Sequence, residues 1–193
     1  MFRRKKIFLL IPLCVFLYAC PLESPVPLDE RPVQAIDTSL LGFWYGIVKD
    51  GSDFFGIEAL DIKKESDSVY NITRYGKAIK GSMIMPDTAY FTGYVSTFDN
   101  QTFMNVVGSI VEVIPRKRKS PEIITRKIYY LASLELHHDT LSVKTVTGDF
   151  AGLNPRFKNP AELRNMILSV KKSGKNIFDD VYKLSYRKME KPF

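Results

Sequence analysis

The sequence predicts a mainly β protein: an eight-stranded antiparallel up-and-down barrel followed by one C-terminal helix and a closing strand. Three observations lead there. Eight runs rich in β-branched and aromatic residues lie between residues 41 and 147, separated by short turn-forming pairs. One stretch after residue 159 has helical rather than alternating spacing. Beyond it, VYKLSYR (Val181 to Arg187) alternates again and reads as a last strand.

The eight runs are 41–49, 54–63, 68–76, 78–85, 88–96, 101–113, 123–136 and 140–147. The breaks between them are placed at Asp50-Gly51, Lys64-Glu65, Gly76-Lys77, Pro86-Asp87 and Asp99-Asn100, residue types that favour turns. His137-His138-Asp139 forms the tight connection between the last two runs. Short strands at close spacing suit an up-and-down barrel. In the final quarter, Asn159 is the expected N-cap and Pro160 the first helical residue. Ala161, Leu163, Met166, Ile167 and Val170 make the apolar face, and Lys171, Lys172 and Gly174 close the helix in the favoured order.

The first residues have a different logic. Arg3, Arg4, Lys5 and Lys6 precede an apolar run from Ile7 to Tyr18, the grammar of an export signal. Twelve helical residues span roughly 18 Å, short of a ~30 Å hydrocarbon core, so a stable membrane span is not expected. The run ends Leu17-Tyr18-Ala19-Cys20, which resembles the lipobox of bacterial lipoproteins. That resemblance implies a diacylglycerol on the Cys20 thiol, cleavage before Cys20 and a stable anchor, because each buried methylene contributes ~0.8 kcal/mol. Residues 1–19 are thus read as a signal peptide. After cleavage Cys20 is the one cysteine left, so no intramolecular disulfide is available. Residues 20–38, with Pro21, Pro25, Pro27 and Pro32, are read as a lipidated, proline-rich tether, and 39–193 as the barrel domain.

Charge narrows the partners. The formal net charge of +7 includes four basic residues of the signal and no acids there, leaving +3 for residues 20–193. A value that small is no nucleic-acid footprint. What positive charge remains is uneven: Arg116-Lys117-Arg118-Lys119 sits between Pro115 and Pro121, followed by Arg126-Lys127, and this loop suits either contact with anionic headgroups or simple solvation.

Gly42-Phe43-Trp44-Tyr45 at the head of the first strand, followed by eight strands, a helix and a strand, is similar to the lipocalin layout. In that family a Gly-x-Trp opens the first strand and its Trp packs under the closed end of the barrel, so Gly42 and Trp44 are the fold signature here. The family's Thr-Asp-Tyr has no counterpart, Val107-Gly108-Ser109 standing near its place. The Arg it places after the eighth strand is likewise replaced by Thr147-Gly148-Asp149, which leaves Arg187 as the candidate cation over Trp44. The resemblance implies a barrel that binds a small apolar or amphipathic, lipid-like ligand. Ile57, Tyr70, Tyr90, Tyr94, Phe103 and Tyr129 are the candidate lining, with packed core as the competing reading.

Nothing in the sequence points to catalysis, a cofactor or a metal: there is no nucleophile elbow, no HExxH, no phosphate-cradling glycine loop and no EF-hand spacing. His137-His138 supplies too few ligands for zinc. The expected role is therefore a non-enzymatic, membrane-anchored lipoprotein that binds a lipid-like ligand. The alternative is an envelope interaction or assembly protein with a filled barrel. Pro21 after the cysteine, where inner-membrane retention favours Asp, points to the periplasmic face of the outer membrane.

Overall fold

The structure is a computed structural model, and it describes residues 21–50, 54–80, 83–116, 120–148 and 157–190. The signal segment, Cys20 and Lys117–Lys119 of the basic loop lie outside the described residues. The chain forms a short 3-10 turn (Thr38–Leu40) and then β1 (Gly42–Asp50), β2 (Phe54–Lys64), β3 (Tyr70–Lys80), β4 (Met83–Phe98), β5 (Gln101–Ile114), β6 (Glu122–His137) and β7 (Thr140–Val146). Helix α1 (Pro160–Lys172) and strand β8 (Phe178–Met189) follow. The strands close in sequence order into an antiparallel barrel, β8 pairing with both β7 and β1. The predicted fold class is thus the observed one, and the strand after the helix is the eighth member of the ring.

The count reaches eight differently from the sequence reading. Gly76-Lys77 and Pro86-Asp87 are not breaks. They pair with each other, Gly76 with Asp87 and Lys77 with Pro86, so the three expected strands over 68–96 are two long ones. Proline is tolerated there because β4 meets β5 only from the Thr92–Val107 pair onward, and at Pro86 it has no β5 neighbour to bond. Asp99-Asn100 is a true two-residue turn, both residues at positive φ (51° and 56°), as the twist of a tight hairpin demands. His138 at φ 54° makes the β6–β7 turn with Asp139. The β5–β6 ladder continues to Ile114–Glu122, well past the last β4–β5 pair and past Ala132–Thr145, where β7 joins β6. Residues 108–128 therefore leave the ring as a two-stranded arm.

Two cores hold the molecule. Inside the ring, Trp44, Ile62, Tyr70, Ile72, Met104, Leu141 and Tyr186 converge from six strands, with Leu40 of the 3-10 turn below them. Outside it, Leu163 and Ile167 of α1 pack with Phe103, Leu131 and Val146 on the opposite face of β5–β7. The helix begins as expected: the Asn159 side chain accepts from the Glu162 N–H, and Pro160 occupies the first turn.

The outer core has a third contributor that corrects the tether. Segment 21–38 forms no strand or helix before Thr38, as its prolines dictate, yet Leu22 and Leu28 are fully buried in the outer core, with Val26 against it. Leu22 N–H donates to the Val146 carbonyl, and Ser24 exchanges both backbone bonds with Tyr129 on the edge of β6 that β7 does not reach. Leu22, Ser24 and Val26 face the barrel and alternate with the exposed Pro21, Glu23 and Pro25, and beyond them Pro27 and Leu28 are both buried. It is a strap laid along the domain.

Candidate functional site

The lumen is built from the closed end upward. Gly42 opens β1 at φ 130°, a conformation reserved for glycine, and lets the 3-10 turn lead into the strand. Two residues on, Trp44 is fully buried, its indole N–H donating to the Leu40 carbonyl at 2.9 Å. The cation over its ring is Lys188, with Nζ 5.1 Å from the centroid. Lys188 is the cross-strand partner of Trp44, whereas Arg187 pairs with Tyr45 and faces the other way, which corrects the expectation for Arg187. Above Trp44 the space is occupied: a Cβ built on Gly93 would lie 2.9 Å from Met104 Sδ and 3.1 Å from Ile72 Cδ1.

A polar layer crosses the lumen next. Tyr186 donates its hydroxyl to Glu58 at 2.6 Å, and Arg74 Nη2 donates to Asp87 at 2.6 Å, with Nη1 at 3.9 Å from Glu58. Burial first, then the neighbouring Glu58 carboxylate, pushes the Tyr186 phenol well above its usual range, so it stays a proton donor. Arg74 Nε is buried without a partner, so its fork is only partly satisfied. On the lumen side of the β5–β6 arm the sequence continues in kind, Arg126 pairing with Glu112 at 2.7 Å and Arg116 with Glu122. The lower lumen is thus apolar and packed, and its middle is charged.

The six candidate lining residues do not meet. Tyr70 alone faces the lumen, fully buried, its hydroxyl accepting the Asp37 N–H at 2.6 Å. Tyr94 and Phe103 are buried on the outer face, Tyr94 donating to the Asp29 carbonyl under the strap and Phe103 packing beneath α1. Tyr129 is the half-buried partner of Ser24, with Lys127 Nζ 5.6 Å from its ring centroid. Ile57 and Tyr90 point to solvent, 62% and 76% exposed. Alternation along each strand sets these faces: Glu58, Leu60 and Ile62 point in, so Ile57 points out.

Residues the sequence reading passed over define the polar layer. Glu58 is an acid among apolar strand residues, Arg74 lies just before the expected Gly76-Lys77 break, and Asp87 is part of the expected Pro86-Asp87 break, neither of which exists. Asn105 was also missed. It is fully buried, accepts the Leu28 N–H at 2.8 Å and donates to Ser96 at 2.7 Å, fastening strap to barrel.

Outside the lumen, the face of β1–β4 that α1 and the strap leave bare carries Tyr45, Ile47, Ile57, Tyr75 and Tyr90, all more than 40% exposed. An open depression of about 970 Å³ at the closed end, bordered by Phe43, Asp61, Lys63 and Tyr75, holds an Asp61–Lys63 ion pair at 2.6 Å and no convergent set of reactive groups. Among the described residues no three His, Cys, Asp or Glu side chains cluster as metal ligands. Comparison with protein-family profiles, with curated proteins and with solved structures gives no match to this chain.

Proposed function

We propose that this protein is a bacterial lipoprotein, acylated at Cys20 and held at the periplasmic face of the outer membrane, whose lipocalin-like barrel is a filled scaffold working through its exterior. One observation carries the choice over a lumenal carrier: Trp44, Tyr70 and Met104 fill the closed half, and the Glu58–Arg74–Asp87 layer lies across the middle. A lipid-like ligand would have to expel that core or strip water from those charges, and neither is favourable. The lipocalin likeness draws support from Trp44 under the closed end and from the order of barrel strands and helix. The exposed Tyr45, Ile47, Ile57, Tyr75 and Tyr90 form the surface a protein partner would meet.

Two measurements test the two halves of this reading. Palmitate labelling in a bacterial host should mark the wild-type chain and not Cys20→Ser; equal labelling removes the anchor. Native mass spectrometry of residues 20–193, purified without detergent, should give the bare protein mass. A discrete lipid-sized addition that leaves on activation would return the barrel to the carrier class.

A further inference from the structure

We propose that the β5–β6 arm is a second membrane contact, which sets the apolar face that also carries Lys127 into the headgroup layer of an anionic bilayer beside the N-terminal anchor. The inference rests on acylation at Cys20 for its orientation, and on the arm's own chemistry for its binding.

The docked strap removes the slack between anchor and domain. Pro21 bridges to Thr147, Leu22 is bonded to Val146 and Ser24 to Tyr129. Cys20 is four residues from Ser24, hence within about 14 Å of it along the chain. Tyr129 is the root of the arm, since among the described strands β6 above it pairs with β5 alone. From Tyr129 to Glu122 is seven residues of strand, a rise of about 23 Å. A bilayer entered by acyl chains on Cys20 therefore passes close to the root of a hairpin longer than the reach of the anchor.

The arm has the composition such a surface selects. Val111, Val113 and Ile123 lie on one face, 61%, 60% and 67% exposed, with Val113 directly opposite Ile123. Strand residues left this bare on a projecting ribbon have no covering partner among the described residues. Charge complements them. Residues 108–128 hold six basic and two acidic side chains, a net +4, while the remainder of 20–193 sums to −1. The whole positive excess of residues 20–193 thus falls within this stretch of sequence, and apolar residues flanked by basic ones are what binds the anionic interface.

The test uses residues 20–193 with Cys20→Ser, which contain every described element and no other cysteine. A single environment-sensitive fluorophore is placed through Ile123→Cys on the arm, or through Glu65→Cys in the β2–β3 connection at the opposite end. With vesicles of phosphatidylglycerol and phosphatidylcholine, the probe at 123 should shift to the blue and the probe at 65 should not. Pure phosphatidylcholine should shift neither. Val111→Asp with Lys127→Glu should weaken partition at least tenfold, and raised salt should do the same. An unshifted probe at 123, a shifted probe at 65, or equal response to both lipids overturns the proposal. Because this chain carries no lipid, its result is independent of the palmitate labelling, and either half can fail alone.

Discussion

Leu28→Ala separates a docked strap from a free spacer. Leu28 is fully buried between barrel and helix, in the cluster that holds Phe103, Leu131, Leu163 and Ile167. Truncating a leucine in such a site removes its transfer energy and leaves a partly unfilled cavity, at a cost of about 2–5 kcal/mol. At roughly 2–4 °C per kcal/mol for a domain of this size, a loss of ~3 kcal/mol lowers Tm by about 6–12 °C. Val33, five residues on in the same segment, is 76% exposed, and Val33→Ala should change stability by less than about 0.5 kcal/mol. Urea denaturation of residues 20–193 reads both. Asn105→Ala provides the polar arm of the experiment, since it strands the buried Leu28 N–H and the Ser96 hydroxyl, for about 1–3 kcal/mol. Combined with Leu28→Ala it should cost less than the sum, because both changes release the same strap. If the Leu28 and Val33 variants unfold at the same urea concentration, the strap is not part of the folded domain.

Three further outcomes follow from the lumen and its seam. Gly46→Ala should destabilise by about 1–3 kcal/mol in denaturation, since a Cβ there would lie 2.5 Å from the Ser185 carbonyl, a backbone atom that cannot swing aside. Arg74→Met should cost about 1–2 kcal/mol after allowance for its partial exposure, by leaving Glu58 and Asp87 without their cation, and pairing it with Glu58→Gln should recover part of the loss. Burial, ahead of neighbouring groups, raises the Tyr70, Tyr94 and Tyr186 phenols above their ordinary value near 10. The fold keeps them protonated while the unfolded chain ionises, so their stability contribution is complete below pH 10 and falls above it, by about 4 kcal/mol per pH unit if all three act. Phenolate absorbance and circular dichroism recorded together from pH 9 to 12 should show these tyrosines ionising only as structure is lost, and full titration of the intact fold would refute it.

The ring was legible because its strands are β-branched and its turns polar, and the helix because Asn159 and Pro160 mark its start and Gly174 follows its end. The faces were not legible, for a physical reason. Alternation reveals a strand's inner face only when the other face is wet. Here β5 is covered on both sides, Phe103 and Asn105 by helix and strap and Met104 by the lumen, so three consecutive residues are buried and the period vanishes. That is why Tyr94 and Phe103 read as lining and lie outside. The Pro86 error has a related cause: proline argues against a central strand, yet at that height β4 is not central. For the strap, proline density correctly excluded regular structure, but it has no bearing on docking, which the apolar residues at 22, 26 and 28 decide.

The strap also bears on the proposed anchor. A flexible spacer would let the barrel tumble above the bilayer, and no part of its surface would be favoured. With Pro21 bridged to Thr147 and Leu22 bonded to Val146, a lipid on Cys20, as proposed, would attach next to a fixed place on the barrel, beside the root of the arm and on the side covered by α1. The bare aromatic face of β1–β4 belongs to the other side of the ring. With the proposed acylation, one side of the molecule would face the anchor and leave the bare side free, and mutations that loosen the strap should then disturb orientation before they disturb the barrel. Leu22→Ala tests this separately from stability: on pure phosphatidylcholine, which the arm alone does not bind, the fluorophore at 123 should respond in the acylated chain and lose that response in acylated Leu22→Ala, under conditions where circular dichroism still reports a folded barrel. Retention of the full response on pure phosphatidylcholine would mean that the strap does not orient the anchored domain.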